Sequence, residues 1–271
     1  MASKTPINIE LQKGKKAYFC SDMHLGLYPY DKSAQREKMI VLWLEVIRKD
    51  AQILFLQGDI FDFWYEYRKV APRGFVRFLG KLAELADSGI EIHYFTGNHD
   101  VWVFDYLPKE IGLQVHYTDR LFEISGKRFL IGHGDELCKT DYGYRFLKGC
   151  FKNKFLQFLF SRLHPNFALA IGHTWSKHSR LSKGVSEAFL GEDKEHQIQF
   201  AKQYLNTNEI DFFVFGHRHI PLDYKLNDKS RLINLGEWIV SNTFATYDGE
   251  NMMLKKYEND IFIEYTRNLG E

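Results

Sequence analysis

The chain has 271 residues, 45% hydrophobic and 26% charged, with a formal net charge of +1. At that length it can bury a full core, as one large domain or as one domain with an insertion, and its composition is that of a globular protein. Its Cys (Cys20, Cys138, Cys150) are odd in number and lack CxxC spacing, which excludes a disulfide framework and reads as reduced thiols in the cytoplasm. No run approaches the roughly 20 apolar residues of a membrane span, and without an apolar stretch near Met1 no signal peptide is expected.

Residues 16–21 form a strand-like run ending at Asp22-Met23-His24. Helical spacing follows over 33–49, in Ile40, Leu44 and Ile47. Residues 52–57 are an apolar strand that ends at Gly58-Asp59-Ile60-Phe61-Asp62. A helix is predicted over 73–87, with Gly89 just past its end. Residues 90–96 make another strand, ending at Gly97-Asn98-His99-Asp100. This βαβαβ rhythm argues for a central sheet with helices on its faces, whose ligands bind beyond the carboxyl ends of the strands.

Two further strands end in the same way. Residues 129–131 lead to Gly132-His133-Gly134-Asp135, and 211–215 lead to Gly216-His217-Arg218-His219. Between them lies an insertion, 140–205, mostly helical by pattern, whose first half is basic and rich in Phe. Residues 145–183 carry eight Lys or Arg and no Asp or Glu, which leaves the rest of the chain acidic and suggests an anionic partner for this stretch. The last part, 222–265, alternates apolar and polar residues around the turn signals Asn227-Asp228, Asp248-Gly249 and Asn259-Asp260, and reads as a small meander of strands.

Taken singly, each of the five tracts has an ordinary reading as a turn or a hydrogen-bonded surface pair. Their joint occurrence, each after an apolar strand, gives the donor set of a two-metal phosphoesterase. Hard divalent cations prefer carboxylate, amide and imidazole ligands to thiolate. Asp22 and His24 alternate along a strand end and so point to one side. Asp59 can bridge two cations, Asn98 supplies an amide oxygen, and His133, His217 and His219 complete the set. The Cys residues lie outside it, against a structural zinc site. The remaining His, among them His93, His116 and His173, read as surface or packing residues.

The order of these tracts resembles the calcineurin-like metallophosphoesterase superfamily. Within it the chain is similar to the UDP-2,3-diacylglucosamine diphosphatases of lipid A biosynthesis, over about residues 17–247. The more specific tracts are His133-Gly134-Asp135-Glu136-Leu137-Cys138, Asp141-Tyr142-Gly143-Tyr144-Arg145-Phe146 and Leu235-Gly236-Glu237-Trp238. Two positions depart from the pattern. His99 stands where well-known members have Arg, and Arg218 where Thr is frequent between the two histidines.

The resemblance implies an α/β fold, a metallophosphoesterase β-sandwich flanked by helices, as a single domain over 1–271 with an inserted helical lid at 140–205. It implies one cation held by Asp22, His24, Asp59 and His219, a second held by Asp59, Asn98, His133 and His217, and Mn2+ as the metal. Asp59 and His99 are the expected catalytic residues, His99 by protonating or hydrogen-bonding the departing oxygen. Asp62 and Asp100 are expected to orient ligand histidines, with Asp100 also raising the pKa of the His99 ring.

Substrate binding is expected from Asn98, His99, Asp141, Arg180, Phe151 and Phe155. In the insertion, Phe151, Phe155, Phe158 and Arg162 recur with helical spacing, and Lys148 and Lys152 stand four apart. This helix either packs its Phe face and solvates its lysines, or forms a lid that takes acyl chains and offers cations to phosphate or anionic headgroups. The implied reaction splits the diphosphate of UDP-2,3-diacylglucosamine into UMP and 2,3-diacylglucosamine 1-phosphate. The expected setting is cytoplasmic, with peripheral contact to the inner face of an anionic membrane and no nucleic acid. The alternatives are a soluble metallophosphoesterase for another nucleotide diester or phosphomonoester, and a metal-stabilised scaffold without activity.

Overall fold

Strict alternation along two adjacent strands decides how the layers form. In β2 (Lys16–Cys20) and β3 (Ala51–Gln57), Ala17, Phe19, Ile53 and Phe55 face one core, while Tyr18, Cys20, Leu54 and Leu56 face another. A strand with both faces buried must be covered by a layer on each side. The structure, a computed structural model, describes residues 5–137, 142–183 and 188–265.

Before and after these strands come β1 (Ile7–Ile9), α1 (Tyr30–Ile47), α2 (Val76–Asp87), β4 (Glu91–Phe95), α3 (Tyr106–Ile111) and β5 (Gln114–His116). The hairpin of β6 (Arg120–Ile124) and β7 (Lys127–Ile131) follows. Four helices fill the insertion: α4 (Tyr142–Lys152), α5 (Lys154–Phe160), α6 (Pro165–Lys183) and α7 (His196–Leu205). The chain closes with β8 (Phe212–Phe215), β9 (Pro221–Lys225), β10 (Arg231–Leu235), β11 (Thr243–Tyr247), β12 (Met252–Glu258) and β13 (Ile261–Glu264).

One sheet runs β13-β12-β11-β2-β3-β4-β5, and the other runs β1-β6-β7-β8-β10-β9. The parallel run β2 to β5 is wound through α1, α2 and α3. Residues such as Phe19, Phe55, Phe122, Phe129, Val214 and Ile233 fill the space between the sheets. Trp43 and Leu44 of α1 and Phe78 and Leu82 of α2 cover the outer face of the first sheet. Ile198 and Ala201 of α7 cover the outer face of the second, against Leu130, Phe213 and Leu232. The fold is therefore α/β, a two-sheet sandwich with helices outside.

Three expectations change. The helix predicted from 73 begins at Val76, because Gly74 and Phe75 are left-handed (φ +107° and +58°). Its first N–H groups are met from α1, where buried Glu37 accepts from Arg77 and Phe78 at 3.1 and 3.2 Å. The C-terminal strands are not one meander: β9 and β10 join one sheet and β11 to β13 the other. In the insertion, Asn153 accepts from the N–H groups of Phe155 and Leu156 and starts a new helix. Phe151 and Phe155 therefore lie on different helices, not on one continuous stripe. Of the four inserted helices, α7 packs on the body. Among the described residues no helix is long and apolar enough to cross a membrane.

His93 and His116 form a pair between the sheets, Nδ1 to Nε2 at 2.8 Å, with stacked rings against Phe55, Phe95 and Phe122. Burial holds the His93 imidazole down to about 4, and burial with the neighbouring His93 and Arg120 holds His116 down to about 3. Unfolded, both titrate near 6.5. Between those values the unfolded chain binds more protons, so the pair's contribution to stability falls as the pH drops below about 6.5. Urea unfolding at pH 7 and pH 5 should show the wild type losing on the order of 2 kcal/mol more than His93→Phe/His116→Phe over that interval. Equal losses would mean the pair takes up no extra protons on unfolding.

Candidate metal centre

All five tracts meet at the end where both sheets present the carboxyl ends of their strands. Asp22 and His24 follow β2, Asp59 follows β3, and Asn98 and His99 follow β4. His133 follows β7 and His217 and His219 follow β8, from the second sheet. The loops continue the sheet hydrogen bonding past the strands: the N–H of Asp22 donates to Gly58, that of His24 to Asp59, and that of Gly216 to His133.

Their donor atoms fall into three overlapping groups: Asp22, His24 and His219; His24, Asp59 and His99; Asp59, His133 and His217. Within each group the atoms lie within 4.8 Å of one another. Asp59 is common to two groups, as a bridging ligand must be. Its Oδ2 stands 3.4 Å from His133 Nε2 and 3.9 Å from Nε2 of both His24 and His99. Its Oδ1 accepts from the His99 N–H at 2.9 Å. Asn98 Oδ1 is 3.3 Å from His133 Nε2, on the side of the third group. Asp22 Oδ1 is buried 3.1 Å from His219 Nε2. The Nε2 atoms of His24 and His219 face each other at 3.1 Å.

Such a convergence of lone-pair donors in a buried space needs positive charge among them, and hard divalent cations fit this donor set. The His/Asp clusters fit a dinuclear metal site. The tautomers agree with that use. His133 Nδ1 donates to the Gln57 carbonyl at 2.9 Å, which leaves Nε2 directed at Asp59 and Asn98. Burial opposes charge on His133, but Asp59 more than offsets it and the imidazole is raised to about 10. Burial likewise opposes charge on Asp59, and the imidazoles of His133, His99 and His24 hold its carboxyl well below the usual range. His217, pushed down to about 4 by burial and by His133, stays neutral. The added proton on His133 Nε2 lies where a cation would bind, so cation binding there would displace it.

Backbone strain marks the same residues. Ten residues other than Gly have positive φ among those described, and five are Asp22, His24, Asp59, His217 and His219. Left-handed backbone costs such residues roughly 1–2 kcal/mol each. The strain is opposed by specific contacts. Asp100 accepts the N–H groups of Gly97 at 2.7 Å, Asp59 at 3.2 Å and Ile60 at 2.8 Å, besides the Tyr94 hydroxyl. Arg36, buried in α1, donates to the carbonyls of Met23 and His24 at 3.1 and 3.4 Å. Gly97 is needed for close approach, since a Cβ there would sit 2.2 Å from Asp59 Oδ1.

Several sequence expectations are altered by these contacts. Asp100 does not orient the His99 ring, because its oxygens are committed to backbone N–H groups and Tyr94. The Asp62 carbonyl, at 2.9 Å, and Ser176 Oγ of α6, at 3.1 Å, engage His99 Nδ1 instead. The Asp62 carboxylate stands 3.8 Å from His24 Nδ1. Lys148 and Lys152 form no free basic strip: Lys148 is buried against Asp135 and Glu136, and Lys152 pairs with Glu136. Phe151 packs on Trp102 and Trp175, whereas Phe155 is 66% exposed. Asp141 and the side chain of Arg180 lie outside the described residues.

A calcineurin-like phosphoesterase family model matches residues 15–221. A UDP-2,3-diacylglucosamine hydrolase of Porphyromonas gingivalis is 40% identical over 257 residues, covering 90% of this chain and 98% of that protein. One of Histophilus somni is 25% identical, covering 83% of this chain and 92% of its own length. Among solved structures, a dimetal phosphatase from Danio rerio aligns with a TM-score of 0.42 and 16% identity, over 94% of this chain and 100% of that one. The donor cluster at the shared strand ends and the match over most of the chain place the protein in the calcineurin-like phosphoesterase family.

Proposed function

We propose that this chain hydrolyses the diphosphate of UDP-2,3-diacylglucosamine, releasing UMP and 2,3-diacylglucosamine 1-phosphate for lipid A biosynthesis. The observation that carries this reading is an apolar cavity of about 320 Å³ beside the metal centre. Phe63, Trp102, Phe151, Phe160, Ile171 and Trp175 are in its wall. Trp175 connects it to the chemistry, its ring 6.4 Å from that of His99. Such a wall offers little to a nucleotide or a phosphoprotein, but an acyl chain gains roughly 0.8 kcal/mol for each methylene it buries. The hydrolase names of the relatives agree with this substrate.

The residues that would hold the cations are Asp22, His24, Asp59 and His219 for one, and Asp59, Asn98, His133 and His217 for the other. Two divalent cations, Mn2+ in this reading, would supply an activated water and neutralise charge on the phosphoryl oxygens. The chain's own part is to orient. Asn98 and His99 face the reacting phosphate from the β4 loop. With His99 Nδ1 donating to the Asp62 carbonyl, Nε2 is left to meet the departing oxygen. Helices α4 to α6 act as a lid on the body, tied by Trp102 Nε1 to the Phe151 carbonyl and by the Tyr65 hydroxyl to the Gln157 carbonyl. Phe146, Phe155 and Phe167 on these helices are 76%, 66% and 60% exposed, which supports peripheral contact with a membrane surface.

Incubation with UDP-2,3-diacylglucosamine and Mn2+ should release UMP, and a chelator should abolish the release. Phosphate release from simple esters without UMP formation would overturn the substrate assignment. Phe151→Ser should raise KM for the diacylated substrate at least about tenfold, a loss of roughly 1.4 kcal/mol, and leave KM for a nitrophenyl phosphodiester unchanged. An equal rise on both would reduce the cavity to core packing.

Asp59→Ala should abolish turnover and both Mn2+ binding steps, since both donor sets lose a member. His99→Ala should keep two Mn2+ ions and lower kcat by roughly 10²–10⁴-fold for a diester with an alkoxide leaving group. The loss should shrink for nitrophenyl leaving groups, which need no proton. Loss of a metal ion in this variant would make His99 a ligand, in line with its place beside His24 and Asp59.

A further inference from the structure

Arg218 stands between two of the metal-directed histidines, and both of those histidines have left-handed backbone, with φ of +70° at His217 and +55° at His219. A cationic side chain on a loop that gathers cations is unfavourable unless its charge is answered nearby. Here Glu195 answers it. Arg218 Nε and Nη2 donate to the two Glu195 oxygens, both at 3.0 Å, a two-pronged contact of the strongest kind. The Glu195 side chain is 6% exposed and that of Arg218 25%, so the carboxylate is buried and the guanidinium half-buried. Glu195 Oε1 also accepts the Leu190 N–H at 3.1 Å.

A second contact from the same segment reaches the same loop. Gln197, in the first turn of α7, donates from Nε2 to the Gly216 carbonyl at 2.9 Å. Asn234 of β10 donates to that carbonyl at 3.0 Å and to Gln197 Oε1 at 2.7 Å. The loop between His217 and His219 is thus gripped at its start and at its middle by the segment where the insertion returns to the body.

We propose that Glu195 and Arg218 are positioning residues that set the cation affinity of the centre. This rests on the metal-centre reading above. The pair holds His217 and His219 in their left-handed form and keeps the Arg218 charge from opposing the cations. His219 belongs to one donor set and His217 to the other, so both binding steps depend on it.

The test is calorimetric titration of Mn2+ into chelator-stripped full-length protein, which needs no substrate. Glu195→Gln should weaken both Mn2+ steps by roughly 10–100-fold. Glu195→Gln/Arg218→Gln, which removes the stranded charge, should recover part of that loss. Should Glu195→Gln fail to fold, Arg218→Lys, which keeps the charge and loses the two-pronged contact, is measured in its place and should also weaken both steps. Thermal unfolding of the metal-free variants serves as the control. Mn2+ affinity within about twofold of wild type in the folded variant, with only the melting temperature lowered, would overturn the proposal. So would a loss confined to one of the two steps. A wild-type chain that binds Mn2+ but releases no UMP would fault the substrate assignment alone, and one that binds no Mn2+ would fault both.

Discussion

A carboxylate buried where two sheets meet must be balanced by positive charge, and in this protein the carboxylate is that of Asp59. It is 2% exposed, with one oxygen on a backbone N–H and the other facing three imidazoles. Burial alone would push it toward the neutral acid, yet the imidazoles hold it ionised. Asp100, equally buried behind it, shows the opposite outcome: burial and the Asp59 charge raise its carboxyl to about 6. Two carboxylates in one buried space oppose each other's ionisation, and the one nearer the imidazoles ionises at the lower pH. That fixed charge gives the donors from both sheets a reason to converge.

Convergence has a backbone cost, and the fold distributes the contacts that offset it. Asp22, His24, Asp59, His217 and His219 lie just past strand ends with left-handed backbone, and their donor atoms gather there. Three of these loops are held by a group from elsewhere in the chain. Asp100 serves the Asp59 loop, Arg36 of α1 serves the His24 loop, and Glu195 and Gln197 serve the His217–His219 loop. The supporting side chains are buried or half-buried and polar, and they touch backbone or the residue between two ligands.

The convergence of the five tracts was legible in the sequence because short-range rules mark them. A strand has period two, and a Gly beside Asp, Asn or His at its end permits a turn with close approach. Asp59, Asn98, His133 and His217 each stand beside such a Gly, whereas Asp22 and His24 lie past β2 with left-handed backbone rather than alternating along a strand. The supporting contacts were not legible, because they join residues far apart in sequence. Nothing local ties Arg36 to Met23 and His24, or Glu195 to Arg218. Adjacency in sequence pairs Asp100 with His99, whereas its oxygens turn back to the loops of Gly97 and Asp59. Lys148 and Lys152 showed spacing but not partners, so Asp135 and Glu136 were missed. The C-terminal strands carried the right turn signals, but alternation does not say which of two sheets a strand joins.

The inserted helices and the donor cluster meet through one side chain. His99 turns one ring nitrogen to the Asp62 carbonyl and to Ser176 of α6, and the other to Asp59. Trp175, next to Ser176, is part of the apolar wall and packs edge-on against Phe151. A helix that presents Ser176 to the metal-side histidine and Trp175 to the cavity fixes the distance between charge chemistry and apolar binding. A substrate suited to this arrangement must be ionic at one point and apolar a few ångströms away. An acylated sugar diphosphate has both properties, whereas free nucleotides and simple phosphomonoesters have the first only.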